Sequence, residues 1–117
     1  MLIDTCVVYR WLIGTFSNAE LFQDGATVSA VSIWEMLIKH NKGSLPLPTL
    51  ELASTLTDNG FTFLNVTPAH AQAIANLPNH HKDPFDRMII AQAMCEDMRV
   101  VTYDRVFADY LPKTMLV

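Results

Sequence analysis

The stretch Asp83-Pro-Phe-Asp-Arg-Met-Ile-Ile-Ala-Gln-Ala-Met-Cys-Glu-Asp-Met-Arg-Val-Val-Thr-Tyr-Asp104 decides how the rest of the chain is read. Asp83 before Pro84 is a helix start. An acidic cap accepts from the first free amides, and proline at the first helical position lacks an N–H that would have no partner there. The helix so opened runs to about Asp97, and Arg99 to Thr102 follows as a short buried strand. A helix that feeds a buried strand is a building unit of a parallel sheet. One acid, Asp86, stands in the first turn of that helix, and another, Asp104, stands just past the strand.

The same alternation recurs toward the N-terminus. Leu2-Ile3 ends a first strand, and Asp4-Thr5 leads into a helix from Cys6 to Ile13 that Gly14 stops. Ser17 to Gln23 is a short helix and Ala26 to Ser29 a second strand. Ile33, Trp34, Leu37 and Ile38 repeat at helical spacing before Gly43. Leu45 to Pro48 is an extended link, Leu50 to Thr57 a helix ended by Asn59-Gly60, and Phe61 to Val66 an alternating strand. Thr67 caps a helix from Pro68 to Leu77, and Asn79 to Asp83 is a polar loop. Val106 to Tyr110 is a helical turn and Met115 to Val117 a last strand. The expectation is one α/β domain over residues 1–117 with a mainly parallel sheet.

Composition narrows the class. Half of the 117 residues are hydrophobic and 17% are charged, which is globular and not disordered. No run approaches the roughly 20 apolar residues of a membrane helix, and Asp4 and Arg10 break the apolar start, so no membrane segment or leader is expected. Cys6 and Cys95 match no disulfide or zinc spacing, which fits a reducing cytoplasm. The net charge of −4 comes from 12 acids and 8 bases. With four acids set aside as one metal-binding cluster the remainder balances, so the charge neither supports nor excludes a nucleic-acid substrate.

Those four acids are Asp4, Glu35, Asp86 and Asp104. Each follows a strand or opens a helix. In a parallel sheet these places share one edge, so acids distant in sequence converge. Gathered carboxylates repel each other, and a hard divalent cation, Mg²⁺ or Mn²⁺, offsets that repulsion. Such an ion lowers the pKa of a water and neutralises charge on a phosphodiester under in-line attack. No serine or cysteine nucleophile motif, P-loop or dinucleotide fingerprint is present.

Each acid alone also has a plain structural reading. Ser32 and Glu35 fit a capping box, and Glu35 with Lys39 fits a surface pair four residues apart. Asp86 favours the positive end of its helix, and Asp4 and Asp104 fit caps or turns. The catalytic reading rests on all four recurring at one end of the fold.

Four segments resemble PIN domains: Asp4-Thr5 after its apolar start, Val28 to Glu35, His81 to Ala93, and Val101 to Asp104. The nearest resemblance is to VapC-like toxins of bacterial toxin–antitoxin pairs, and it covers nearly the whole chain. It implies a three-layer α/β/α sandwich and a Mg²⁺- or Mn²⁺-dependent endoribonuclease whose products carry 5′-phosphate and 3′-hydroxyl ends. It also implies a homodimer and a cognate antitoxin that blocks the active-site groove. Carried over by motif, the acids are Asp4, Glu35, Asp86 and Asp104, with Asp83 as a secondary metal candidate, helper or cap. The chain departs from the family in three places: Cys6 stands where a histidine is frequent, Gly14 to Ala26 is short, and little strand precedes Asp4.

Around the acids, Lys39 and Arg87 are candidates to meet phosphates, and Thr5 and Thr102 to hold a metal-bound water or orient a carboxylate. A solvated face or an ion pair is the competing reading for both bases. His80 and His81 fit no zinc spacing and read as a polar loop, and His70 as surface or helix packing. Trp11 and Trp34 read as core or interface, and Phe16, Phe61, Phe63 and Phe85 as core.

Three other functions compete. A phosphatase forming an aspartyl-phosphate on Asp4 needs a second Asp where Cys6 stands. A DNA or structure-specific nuclease carries more acids and larger gripping segments. A catalytically inactive PIN-fold module, binding RNA or a protein partner, is the alternative that keeps the fold.

Overall fold

The computed structural model describes residues 1–23 and 25–117. Its strands are β1 (Leu2–Ile3), β2 (Ala26–Ser29), β3 (Phe61–Leu64), β4 (Val100–Thr102) and β5 (Met115–Leu116). Its α-helices are α1 (Thr5–Leu12), α2 (Ala30–Asn41), α3 (Leu52–Asp58), α4 (Pro68–Ala73) and α5 (Pro84–Glu96). The sheet order is β3-β2-β1-β4-β5, and every adjacent pair is parallel. This is the α/β arrangement anticipated from the alternation of helices and strands.

Successive strand residues point to opposite faces, and each face has its own core. Leu2 and Val100 pack with Val31, Ile89, Ile90 and Phe107 on one side. Ile3 and Val101 pack with Val7, Val8, Met36, Leu56 and Phe61 on the other. Helices therefore cover both faces, giving three layers.

Register positions the site. Ile3 lies opposite both Val28 and Val101. The next residues, Asp4, Ser29 and Thr102, are thus brought together at the carboxyl edge of the sheet. β1 stops at Ile3 and β2 at Ser29 because α1 and α2 begin at once.

Several boundaries differ from the sequence reading. Ser17 to Gln23 yields only a 3₁₀ turn at Ala19–Phe22, because so short a segment cannot offset the cost of nucleating an α-helix. Asp24, within the short Gly14 to Ala26 segment, lies outside the described residues. β3 ends at Leu64 instead of Val66, since its partner β2 leaves the sheet at Ser29. The helix after Thr67 ends at Ala73 and tightens into a 3₁₀ turn at Ile74–Asn76. α5 closes on Asp97, whose φ of 50° is left-handed; Asp is one of the few non-glycine residues that tolerate this.

His70 is fully buried and locks α4 to α5. Its Nδ1 accepts from Thr67 N–H at 3.1 Å, its own N–H donates to Thr67 Oγ1 at 3.2 Å, and its Nε2 meets Glu96 Oε1 at 2.8 Å. Of its two sequence readings, packing is the one found.

Candidate active site

Asp4 caps α1 at the centre of the sheet and is 2% exposed. Its Oδ1 accepts from Thr5 N–H at 2.8 Å and its Oδ2 from the Thr102 hydroxyl at 2.7 Å. Burial pushes its carboxyl up to about 6, against the pull of those two hydrogen bonds and with the charges of Glu35 and Asp104 adding to the rise.

Glu35 is buried on α2. The capping-box reading does not hold. The helix begins earlier, with Ser29 as cap accepting from Val31 N–H at 3.1 Å, and the Ser32 hydroxyl bonds that of Thr5 at 2.8 Å. Glu35 is therefore free of the helix start. Its Oε2 accepts from Lys39 Nζ at 2.6 Å. Its Oε1 is buried with no hydrogen-bond partner among the described residues.

Asp86 sits in the first turn of α5, capped by Asp83, whose Oδ1 accepts from Phe85 N–H at 2.8 Å and Asp86 N–H at 3.2 Å. Burial, then the charges of Asp4, Asp83 and Glu35, push the Asp86 carboxyl up to about 7. Asp104 follows β4 and caps a 3₁₀ turn, its Oδ1 accepting from Val106 N–H at 2.9 Å. Thr102 links two of the acids: its hydroxyl donates to Asp4 and accepts from Asp104 N–H at 3.0 Å. Thr5 serves Asp4 through its backbone, while its side chain ties α1 to α2.

The residue that sequence reasoning left in a polar loop is His81. Its Nε2 lies 2.8 Å from Asp86 Oδ2 and 3.1 Å from Asp104 Oδ2. The loop that carries it is clamped. Tyr110 donates its hydroxyl to the Pro78 carbonyl at 2.6 Å and accepts from His80 and His81 N–H, each at 2.9 Å. Arg87 donates to the carbonyls of Pro78 at 2.9 Å, His81 at 3.2 Å and Leu77 at 3.4 Å. Its guanidinium is thus committed to the loop. Lys39 is likewise engaged, with Glu35, though its side chain is 45% exposed.

A cavity of about 500 Å³ adjoins the acids, lined among others by Cys6, Tyr9, Arg10, Glu35, Lys39 and Tyr103. The Arg10 guanidinium lies 4.5 Å from the Tyr103 ring centroid. Partial burial and the charges of Asp4, Asp86 and Glu35 push the Cys6 thiol up to about 11, so it is no thiolate nucleophile at neutral pH. Trp34 is 60% exposed and edge-on to Phe85, ring centroids 5.1 Å apart, so Trp34 is not a core residue. Phe16, Phe63 and Phe85 are half-buried, and only Phe61 of that group is buried.

The residues suit a hard divalent cation. Two carboxyls are raised toward neutrality by burial and mutual repulsion, Glu35 Oε1 lacks a partner among the described residues, and carboxylate oxygens of Asp86 and Asp104 lie within 4.8 Å of each other. A carboxylate-rich pocket holding such an ion has the chemistry of phosphodiester hydrolysis.

The PIN domain family profile matches residues 1–110. Ribonuclease VapC22 of Mycobacterium tuberculosis is 32% identical over 114 residues, covering 90% of this chain and 87% of the relative. Two solved structures share the fold. A toxin–antitoxin complex from Klebsiella pneumoniae has a TM-score of 0.67 at 17% identity, covering 97% of this chain and 94% of its own. VapBC2 from Rickettsia felis, bound to a DNA fragment from its promoter, has a TM-score of 0.68 at 14% identity, covering 99% and 96%.

Proposed function

The chain belongs to the PIN-domain family, and from that premise we propose that it is a divalent-metal-dependent endoribonuclease, the toxin of a toxin–antitoxin pair. Residues 1–117 act as one domain. Its partners are an RNA substrate, a cognate antitoxin and a second copy of the chain. No described helix is long and apolar enough to cross a membrane, which is compatible with action in the cytoplasm.

The observation that carries the reading is Glu35 Oε1, a buried acceptor without a partner beside Asp4 and Asp86. A buried unsatisfied carboxylate oxygen costs free energy unless a cation meets it. Asp4, Glu35, Asp86 and Asp104 would hold Mg²⁺ or Mn²⁺, with Asp83 contributing charge and the cap of α5. When bound, the ion supplies an acidified water and offsets charge on the phosphodiester.

The chain's own residues prepare that chemistry. Thr102 aims Asp4 Oδ2 and fixes the backbone of Asp104. Lys39 neutralises one oxygen of Glu35 and leaves the other open. Its half-exposed side chain also lines the groove, where the substrate's phosphates would run. Tyr9, Arg10 and Tyr103 line that groove.

The test is incubation of total cellular RNA with the purified protein. A few discrete cuts with Mg²⁺ or Mn²⁺, abolished by EDTA, are expected. RNA binding that is indifferent to EDTA, with no cleavage, would select the inactive binding module instead.

A further inference from the structure

We propose that His81 is a placeholder for the catalytic cation: its Nε2–H bridges Asp86 and Asp104, two of the acids that would hold the ion, and must turn away when the ion enters. The inference rests on the metal-dependent reading of this site.

The bridge itself is short on both sides, 2.8 Å to Asp86 Oδ2 and 3.1 Å to Asp104 Oδ2. The other ring nitrogen fixes its character. His81 Nδ1 faces the backbone N–H of Asp83 at 3.2 Å, and that N–H can only donate. Nδ1 is therefore the acceptor, and the ring proton sits on Nε2. A metal-ligating imidazole is arranged the opposite way, with its non-ligating nitrogen donating to a partner. In this setting the ring is a hydrogen-bond donor to the carboxylates and not a ligand.

The bridge engages Asp86 Oδ2 and Asp104 Oδ2, oxygens of two acids that would hold the ion, and it points a proton at both. A cation shared by these two acids and the imidazole proton exclude each other.

The backbone around the ring stays put while the side chain moves. Tyr110 holds the His80 and His81 amides, and Arg87 holds the His81 carbonyl. The ring is partly open to solvent, 18% exposed, so it has a way out. The bridge aligns two partly buried acids, and it weakens ion binding by the cost of breaking it.

Mn²⁺ titration of the purified full chain, followed by the electron-spin-resonance signal of the free ion, tests this. Loss of two hydrogen bonds to carboxylates should make His81→Ala bind Mn²⁺ about tenfold more tightly than wild type. His81→Gln, which restores an N–H donor, should move back toward wild-type affinity. Equal binding by His81→Ala would show that the bridge costs nothing, and weaker binding that the imidazole is a ligand; either overturns the proposal. If His81→Ala does not fold, the wild-type ring decides it: Mg²⁺ should shift the His81 Nε2–H proton resonance as the carboxylate bonds are lost, and an unmoved resonance contradicts the idea. Asp86→Asn separates the two levels. Wild-type Mn²⁺ binding by that variant would overturn the metal reading itself, whereas its loss with unchanged His81→Ala affinity would overturn the placeholder alone.

Discussion

The Thr102 hydroxyl donates to Asp4 Oδ2 at 2.7 Å, joining residues 98 positions apart at the carboxyl edges of β1 and β4. That bond holds the Asp4 carboxyl below where burial alone would put it. Thr102→Val removes the donor without changing the side chain's shape, so Asp4 ionises at higher pH. Mn²⁺ affinity or cleavage rate should fall about 10- to 100-fold, the usual effect of losing a residue that orients a metal ligand. The pH profile of cleavage should move to the alkaline side, and Thr102→Ser should restore both.

Stability of the metal-free protein should fall as pH rises. Asp4 is raised to about 6 and Asp86 to about 7, both above their ordinary value near 3.8. An acid whose folded-state pKa is raised favours the fold while protonated. That contribution is complete below about pH 4 and is lost as pH climbs through about 6 to 7. For Asp4 the loss is on the order of 3 kcal/mol, and the Asp86 part does not simply add because the two charges interact. Thermal melts in EDTA should show the melting temperature dropping over this window. Added Mg²⁺ or Mn²⁺ should stabilise most at pH 8 and little at pH 4.

Arg87 distinguishes two roles cleanly. Its guanidinium donates to three loop carbonyls and reaches the Tyr110 hydroxyl at 3.3 Å. Arg87→Ala should cost about 1–2 kcal/mol in urea denaturation, as the carbonyls of Leu77, Pro78 and His81 lose their shared donor. Arg87→Lys should rescue it poorly, since one ammonium cannot reproduce the planar fork. A variant of wild-type stability with raised KM for RNA would instead mark Arg87 as a phosphate contact.

His70→Ala should unfold at lower urea without changing Mn²⁺ affinity. The substitution opens a hole between α4 and α5 and removes the Thr67 and Glu96 bonds. A loss of about 3 kcal/mol is expected. Weakened metal binding in a still-folded variant would show that this distant lock also shapes the site.

Much of this architecture was readable because its causes are local. Asp83-Pro84 marks a helix start wherever it occurs, and Val100 to Thr102 has the residues of a buried strand. Alternation of such units brings Asp4 and Asp104 to one sheet edge. The competing capping-box reading of Ser32 and Glu35, which the structure does not bear out, has an equally local origin. Ser29, three residues earlier, is also a good cap, and the end of β2 decides between them. His81 was beyond reach for the opposite reason. Its place is set by Tyr110, 29 residues away, and its partner Asp104, 23 residues away. Its one local signal is its position two residues before the cap of α5, which turns its ring toward that helix's first turn.

Asp4, Glu35, Asp86 and Asp104 are proposed to form one metal-dependent centre that cuts RNA. The most direct test is single-turnover cleavage of a defined RNA by wild type and Asp86→Asn in Mn²⁺, with the product ends determined. Cuts should leave 5′-phosphate and 3′-hydroxyl ends, with the rate reduced at least about 100-fold in Asp86→Asn, in keeping with loss of a group acting at the reacting centre. Full cleavage by Asp86→Asn, or cleavage by wild type in EDTA leaving 2′,3′-cyclic phosphates, would contradict it.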